Sequence, residues 1–179
     1  MGILKPLVTA LALCAVHPAL AQDRLDDLYT ALASAQEPDA RRIAEKIASE
    51  WMRSGSPAMD VLLARGQEAL DAGDTQRAIE HLSALIDHAP DFAEGYHARA
   101  TAFFRDRRMG LALDDLRTTL ALNPRHFGAL SGVGVILADL GREDLALRAW
   151  REVEALYPAH PEAQAAIQRL EIVVEGSRI

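Results

Sequence analysis

Residues 93–126 read AEGYHARATAFFRDRRMGLALDDLRTTLALNPRH, and the blocks on either side, 59–92 and 127–160, repeat their landmarks in register. Pro90, Pro124 and Pro158 keep a step of 34 residues, as do Ala78, Ala112 and Ala146. Small residues recur at Gly66, Ala100 and Gly134, and bulky apolar ones at Leu82, Leu116 and Trp150. A period of this length marks a helix–turn–helix solenoid repeat. One such unit cannot bury its apolar face alone, so the three copies must stack.

Within each block the pattern predicts two antiparallel helices. In repeat 1 the first covers about 59–72 and stops at Gly73, and the second covers 75–88 with Asp74 as its N-cap. Gly73 and Gly141 stand where a left-handed residue ends a helix. Arg107 takes that place in repeat 2, which predicts a less ideal turn. Asp91 and Glu94, three apart, are positioned for a capping box at the start of repeat 2. The small positions have a packing reason, because a large side chain there would push the paired helices apart. Leu62, Tyr96 and Leu130 fill the space on the first helices, and Leu82, Leu116 and Trp150 fill it on the second.

These residues carry a resemblance. Gly66, Ala78 and Pro90, echoed one and two periods later, are similar to the landmarks of the tetratricopeptide repeat. Leu62, Tyr96 and Leu130 stand where that family usually has Trp, and Arg65, Arg99 and Val133 where it usually has Leu. The implied fold is all-α, a right-handed solenoid of antiparallel helix pairs. Its copies are residues 59–92, 93–126 and 127–160, and its concave groove is lined by the first helices.

The flanks read as follows. Pro161 opens a last helix to about residue 175, with Ala163, Ile167, Leu170 and Val174 on one stripe and Glu162, Gln164, Gln168, Glu171 and Glu175 facing away. It is expected to cap the open end of the stack, with residues 176–179 as a tail. Before the repeats, Leu25, Leu28 and Leu32 suggest a helix over 24–35. Ile43, Ile47 and Trp51 suggest a second one after Pro38. Ser54, Gly55, Ser56 and Pro57 break the chain before repeat 1. Ala44 lies one period before Ala78, so residues 22–58 read first as a worn fourth repeat. The alternative is a separate hairpin docked on repeat 1 or lying in the groove.

Residues 1–21 read as an export signal. Lys5 is followed by an apolar stretch over 7–16, then by Ala19-Leu20-Ala21, a small-x-small pattern that predicts cleavage after Ala21. The stretch falls short of the ~20 apolar residues of a membrane span. Cys14, the only cysteine, lies inside it, so the mature chain would hold no thiol. Leu13 stands where a lipoprotein signal wants Gly, Ala or Ser, which argues against lipidation of Cys14. A periplasmic location is the expectation.

Composition narrows the function classes. Half the residues are apolar and only 5% aromatic, which suits closely packed helices. An excess of 26 acidic over 19 basic residues argues against a nucleic-acid partner. No phosphate loop, nucleophile elbow or metalloprotease helix is present. Asp114 and Asp115 are neighbours and must point to different faces, so they make no acid–base pair. His81 and His88 are seven apart on one helix, and His126 and His160 hold equivalent turn positions, so no metal site is expected. No cofactor is expected either, and the chain reads as a non-enzyme.

The resemblance places the groove at Leu63 and Gln67 in repeat 1, His97, Thr101, Phe104 and Arg105 in repeat 2, and Ser131 and Val135 in repeat 3. Some family members bind a partner's C-terminal carboxylate there through paired Lys and Asn. This chain has Leu63 and Gln67, His97 and Thr101, and Ser131 and Val135 instead, which argues against tail binding of that kind. Arg105, Arg107 and Arg108 cluster at one turn, with Asp106, Asp114 and Asp115 expected to neutralise them. The expected function is a cell-envelope interaction module with a protein or peptide partner in the groove. The alternative is a self-associating subunit or an assembly factor that uses a helix edge or the N-terminal hairpin.

Overall fold

A computed structural model describes residues 18–176; most of the signal reading (residues 1–17, with Lys5 and Cys14) and the last three tail residues lie outside these. Among the described residues the chain forms nine helices. They are α1 (Pro18–Ser34), α2 (Asp39–Trp51), α3 (Pro57–Asp71), α4 (Thr75–His88), α5 (Ala93–Arg105), α6 (Met109–Leu122), α7 (Phe127–Asp139), α8 (Glu143–Leu156) and α9 (Pro161–Gly176). None of them is long and apolar enough to cross a membrane.

The pairs α3/α4, α5/α6 and α7/α8 are the three predicted repeats, and α9 follows them as the cap. The first helices α3, α5 and α7 touch one another in turn, while the second helices of successive repeats pack less closely. That asymmetry curves the stack towards the first-helix face. The small positions of the first helices lie against the bulky residues of the second. A Cβ added at Gly66 would lie 2.6 Å from Leu82, and one at Gly134 would lie 2.7 Å from the Trp150 indole. Ala100 and Leu116 share the buried cluster of the middle repeat.

The turns follow the sequence closely. Asp74 Oδ1 accepts the Arg77 N–H at 3.0 Å and caps α4. Gly73 and Gly141 adopt φ of 76° and 66°, and Arg107 adopts 61° at the equivalent place. The Arg107 turn keeps the hydrogen bonds of the glycine turn. Arg108 N–H donates to Phe103 O at 2.8 Å, as Asp74 N–H does to Ala69 O. The turn is therefore strained rather than loosened, since a left-handed non-glycine residue costs about 1–2 kcal/mol. Arg107→Gly is expected to raise stability by up to ~1 kcal/mol in urea denaturation, part of the relief being lost to the freer unfolded chain.

Two local expectations are corrected. Asp91 and Glu94 form no capping box. Phe92 is the N-cap of α5 without a side-chain bond, and the Glu94 carboxylate is drawn inward by histidines. The arginine cluster at the repeat 2 turn is not neutralised by Asp114 and Asp115. Asp114 pairs with Arg117 on the surface, and Asp115 is buried against Arg99; only Asp106 lies near Arg108, at 3.8 Å. Arg108 also stacks on the Phe103 ring.

The largest departure is the N-terminal hairpin. Its helices start and end near the expected places, although α1 begins six residues early. The hairpin does not extend the stack ahead of repeat 1. Leu32, Ala40, Ala44 and Ile47 join the buried cluster of repeat 3 and α9, and none of them joins the cluster of repeat 1. Tyr29 Oη donates to Arg125 O at 3.0 Å, Asp26 pairs with Arg125, and Tyr157 Oη donates to Glu37 at 2.9 Å. Trp51 stacks on His126 with centroids 4.0 Å apart. The short connection over residues 52–56 carries the chain back to α3, and Asp60 Oδ1 holds it by accepting from Ser54. The physical reason is pairing. The apolar stripes of α1 and α2 need a surface, and the aromatic edge of repeat 3 offers Phe127 and Tyr157.

The cap is less polar than expected. Ala163, Ala166, Ile167 and Leu170 are buried, and Glu171 pairs with Arg151 at 2.8 Å, but Ile172 is 74% exposed.

Candidate functional site

On the first-helix face, α5 and α7 part to leave a half-open apolar cleft of about 170 Å³. Phe104 and Thr101 form one wall, Val135 and Ile136 the other, and Leu116 of α6 the floor. Gly128 and Gly132 make the room: a Cβ at Gly132 would sit 3.1 Å from Leu116, and one at Gly128 would sit 3.4 Å from His97 Nε2. The hairpin contributes no residue to the lining.

Of the residues placed in the groove by sequence, His97, Thr101, Phe104 and Val135 line this cleft. The other four do not. Leu63 is 3% exposed and packs in the repeat 1 cluster with Ala98, because α5 lies against α3 and covers it. Gln67 is half-buried on α3, away from the cleft. Arg105 is exposed overall, but its guanidinium donates to the backbone O of Leu70, in the last turn of α3. This clasps repeats 1 and 2, with a cation at a helix C-terminus. Ser131 Oγ donates to Phe127 O within its own helix. Thr101 Oγ1 does the same to His97 O, so the cleft wall offers little donor chemistry.

Beside the cleft lies a buried polar group that periodicity alone did not reveal. Glu94, His97 and His126 bring their side chains together. His97 Nδ1–H donates to Glu94 Oε1 at 3.1 Å, and His126 Nε2–H donates to Glu94 Oε2 at 3.0 Å. His126 Nδ1 in turn accepts the Ala129 N–H at 3.0 Å and caps α7. His160 Nδ1 repeats that cap on Ala163 one period later. The available signal was that Glu94 and His97 stand near the start of α5 and His126 at the N-cap of α7, the same end of neighbouring first helices.

This cluster has the residue types of a metal site, but its protons point elsewhere. His126 can accept at Nδ1 only if Nε2 carries the hydrogen, and that hydrogen is directed at Glu94. Metal binding at Nε2 would require His126 to surrender its cap. Trp51 also seals the ring, leaving His126 1% exposed.

The electrostatics follow from burial and these bonds. Burial opposes charge on Glu94, but the hydrogen bonds from His126 and His97 outweigh it and hold the carboxyl at about 2. Burial pushes His126 below its ordinary 6.5, and His160 in the same direction. Both histidines therefore contribute stability that is complete above 6.5 and declines as pH falls below it. Glu94 contributes stability present above its ordinary 4.5 and lost as pH falls towards about 2. The melting temperature is expected to fall in two stages on acidification, and Glu94→Gln should diminish the lower one.

Comparison with known proteins places the chain. The tetratricopeptide repeat family model matches residues 63–118 and 97–163. The chain belongs to the tetratricopeptide repeat family. A tetratricopeptide repeat-containing protein of Rhizobium etli, an alphaproteobacterium, is 35% identical over 158 residues, covering 88% of this chain and 78% of that protein. Among solved structures, the Sgt2 tetratricopeptide domain of Aspergillus fumigatus is similar at a TM-score of 0.64 and 18% identity, covering 69% of this chain and 83% of that one. The first such domain of Spaghetti (RPAP3), bound to an HSP90 peptide, gives 0.63 and 24%, covering 65% and 93%. MamA gives 0.60 and 22%, covering 76% and 84%. At these identities the structures establish the shared fold.

Proposed function

We propose that this protein is a non-catalytic interaction module of the cell envelope that binds a protein or peptide through the cleft between α5 and α7. The observation that carries this reading is the cleft itself: an apolar opening of about 170 Å³ on the first-helix face, kept open by Gly128 and Gly132. Apolar side chains of a partner would gain by burial there, about 25 cal/mol per Å² of surface removed from water. The domain of Spaghetti (RPAP3), which shares the fold, was solved with a peptide bound. Export is supported by the apolar stretch over 7–16 and by Ala19-Leu20-Ala21.

The test is a crosslinked pull-down of the tagged protein from periplasmic extract. The bait should begin at Gln22, and Phe104→Ala and Val135→Arg should each reduce the captured partner at least tenfold without loss of helicity. Self-crosslinks alone, lost on deletion of residues 22–55, would favour the self-associating or assembly-factor reading. A partner captured equally by both variants would move the site off the cleft.

A further inference from the structure

We propose that the cleft is the anchor pocket for a tyrosine side chain of the partner, with the phenolic O–H donated to His97 Nε2. The inference deepens the interaction-module reading and rests on it.

Three features of the cleft select this group. The first is size. An engineered apolar cavity of about 150 Å³ takes up benzene, and this cleft of about 170 Å³ has room for one six-membered ring with a substituent. The second is the walls. Ala100, Phe104, Leu116, Val135 and Ile136 present carbon, and the one hydroxyl, on Thr101, is already donated to His97 O. A partner carboxylate would be desolvated there without a counter-ion, and a lysine ammonium would give up its hydration for the single acceptor His97 Nε2.

The third is the polar atom. A carboxylate only accepts, so the Nδ1 of His97 that faces Glu94 Oε1 at 3.1 Å carries the hydrogen. In the neutral ring Nε2 is then an acceptor, and it faces the cleft beside Gly128. The buried Glu94 carboxylate behind the ring, itself held by His126, makes Nε2 electron-rich and complementary to an O–H dipole. The same negative charge disfavours a partner carboxylate. Phenylalanine would fill the volume but leave Nε2 desolvated and unpaired. Gly128 keeps the approach open, since a Cβ there would lie 3.4 Å from Nε2.

The test uses side-chain analogues on the ¹⁵N-labelled full mature chain at pH 8, read by amide shifts of Gly128 and Gly132. The probes are p-cresol, its methyl ether 4-methylanisole, toluene and indole. The expected result is p-cresol binding at these glycines roughly tenfold more tightly than toluene or 4-methylanisole, the worth of one net hydrogen bond. His97→Leu should abolish that preference while leaving toluene binding. If that variant does not fold, the comparison of p-cresol with 4-methylanisole on the natural chain carries the same decision.

Equal binding of p-cresol and toluene would overturn the tyrosine inference and leave the apolar cleft standing as the site. Tighter binding of indole than p-cresol would overturn it in favour of tryptophan. No shift at either glycine with any probe would overturn the anchor pocket. The interaction-module reading fails separately, when Phe104→Ala and Val135→Arg leave partner capture unchanged.

Discussion

Asp115→Ala is expected to destabilise the folded chain by about 3–5 kcal/mol, because it strands a buried charge. Asp115 accepts both arms of the Arg99 guanidinium, at 2.8 and 2.9 Å, and Arg99 also donates to Ser83 Oγ at 3.1 Å. The side chains of Arg99 and Asp115 are 20% and 8% exposed, so water can replace the lost partner only in part. Arg99 lies between the Tyr96 and Phe103 rings, 5.8 and 5.6 Å from their centroids, which attract the cation but supply no acceptor. The pair ties α5 to α6, and Ser83 adds α4, so the loss would be felt across repeats 1 and 2.

The companion variants make this diagnostic. Asp114→Ala, one residue away, removes an exposed pair with Arg117 and should cost no more than ~1 kcal/mol. The double variant Arg99→Leu/Asp115→Ala should regain most of the loss, since replacing both buried ions with apolar groups is often neutral. Leu is also the residue this family usually carries at the Arg99 position. Urea denaturation of the four proteins at pH 7 checks all three statements.

Gly134→Ala is expected to cost about 1–3 kcal/mol, against the usual gain from Gly→Ala in a helix. The added Cβ would lie 2.7, 2.8 and 2.9 Å from three atoms of the Trp150 indole. A rigid ring, 4% exposed, cannot retreat as an aliphatic tip can, so α7 and α8 must separate. Repeat 2 shows how the same contact accommodates an alanine: Ala100 packs with Leu116. Trp150→Leu alone opens space in the repeat 3 cluster, which also anchors α9 and the hairpin. In the double variant Gly134→Ala/Trp150→Leu the two changes should compensate, giving a loss smaller than the sum of the single variants. Thermal melts of the three variants decide it.

Strict additivity would mean that the two residues do not share one contact.

What was legible in the sequence is what repeats or acts locally. Gly66 and Gly134 were readable as tight positions, and Leu82 and Trp150 as space-filling ones, because their spacing recurs; that they face each other is the structure's finding. Asp74, Gly73 and Gly141 were readable because caps and left-handed turns need only their own neighbours. Contacts across the stack were not legible. Glu94 read as half of a capping box because Asp91 is near in sequence, yet it meets His126, 32 residues away. Arg105 read as an available cation, yet it donates to Leu70 O, 35 residues back. Leu63 read as groove-lining, and α5 covers it.

The hairpin is the clearest case. Leu32, Ala44 and Ile47 announce an apolar stripe, but an apolar stripe does not name the surface it will meet. Trp51 finds His126 and Phe127, 4.0 and 4.7 Å away between centroids, only once three repeats have been stacked. For the candidate site, His97, Thr101, Phe104 and Val135 were placed by the resemblance to the family, and they line the cleft. Gly128 and Gly132 line the cleft with them. Their packing against His97 and Leu116 depends on how closely α7 approaches α5 and α6.

The most direct measurement is photo-crosslinking in the native host with a benzophenone amino acid at Thr101, inside the cleft, and at Leu111, exposed on α6. A partner adduct from position 101 and none from 111 is the predicted result. Adducts only from position 111 would contradict the cleft as the binding site.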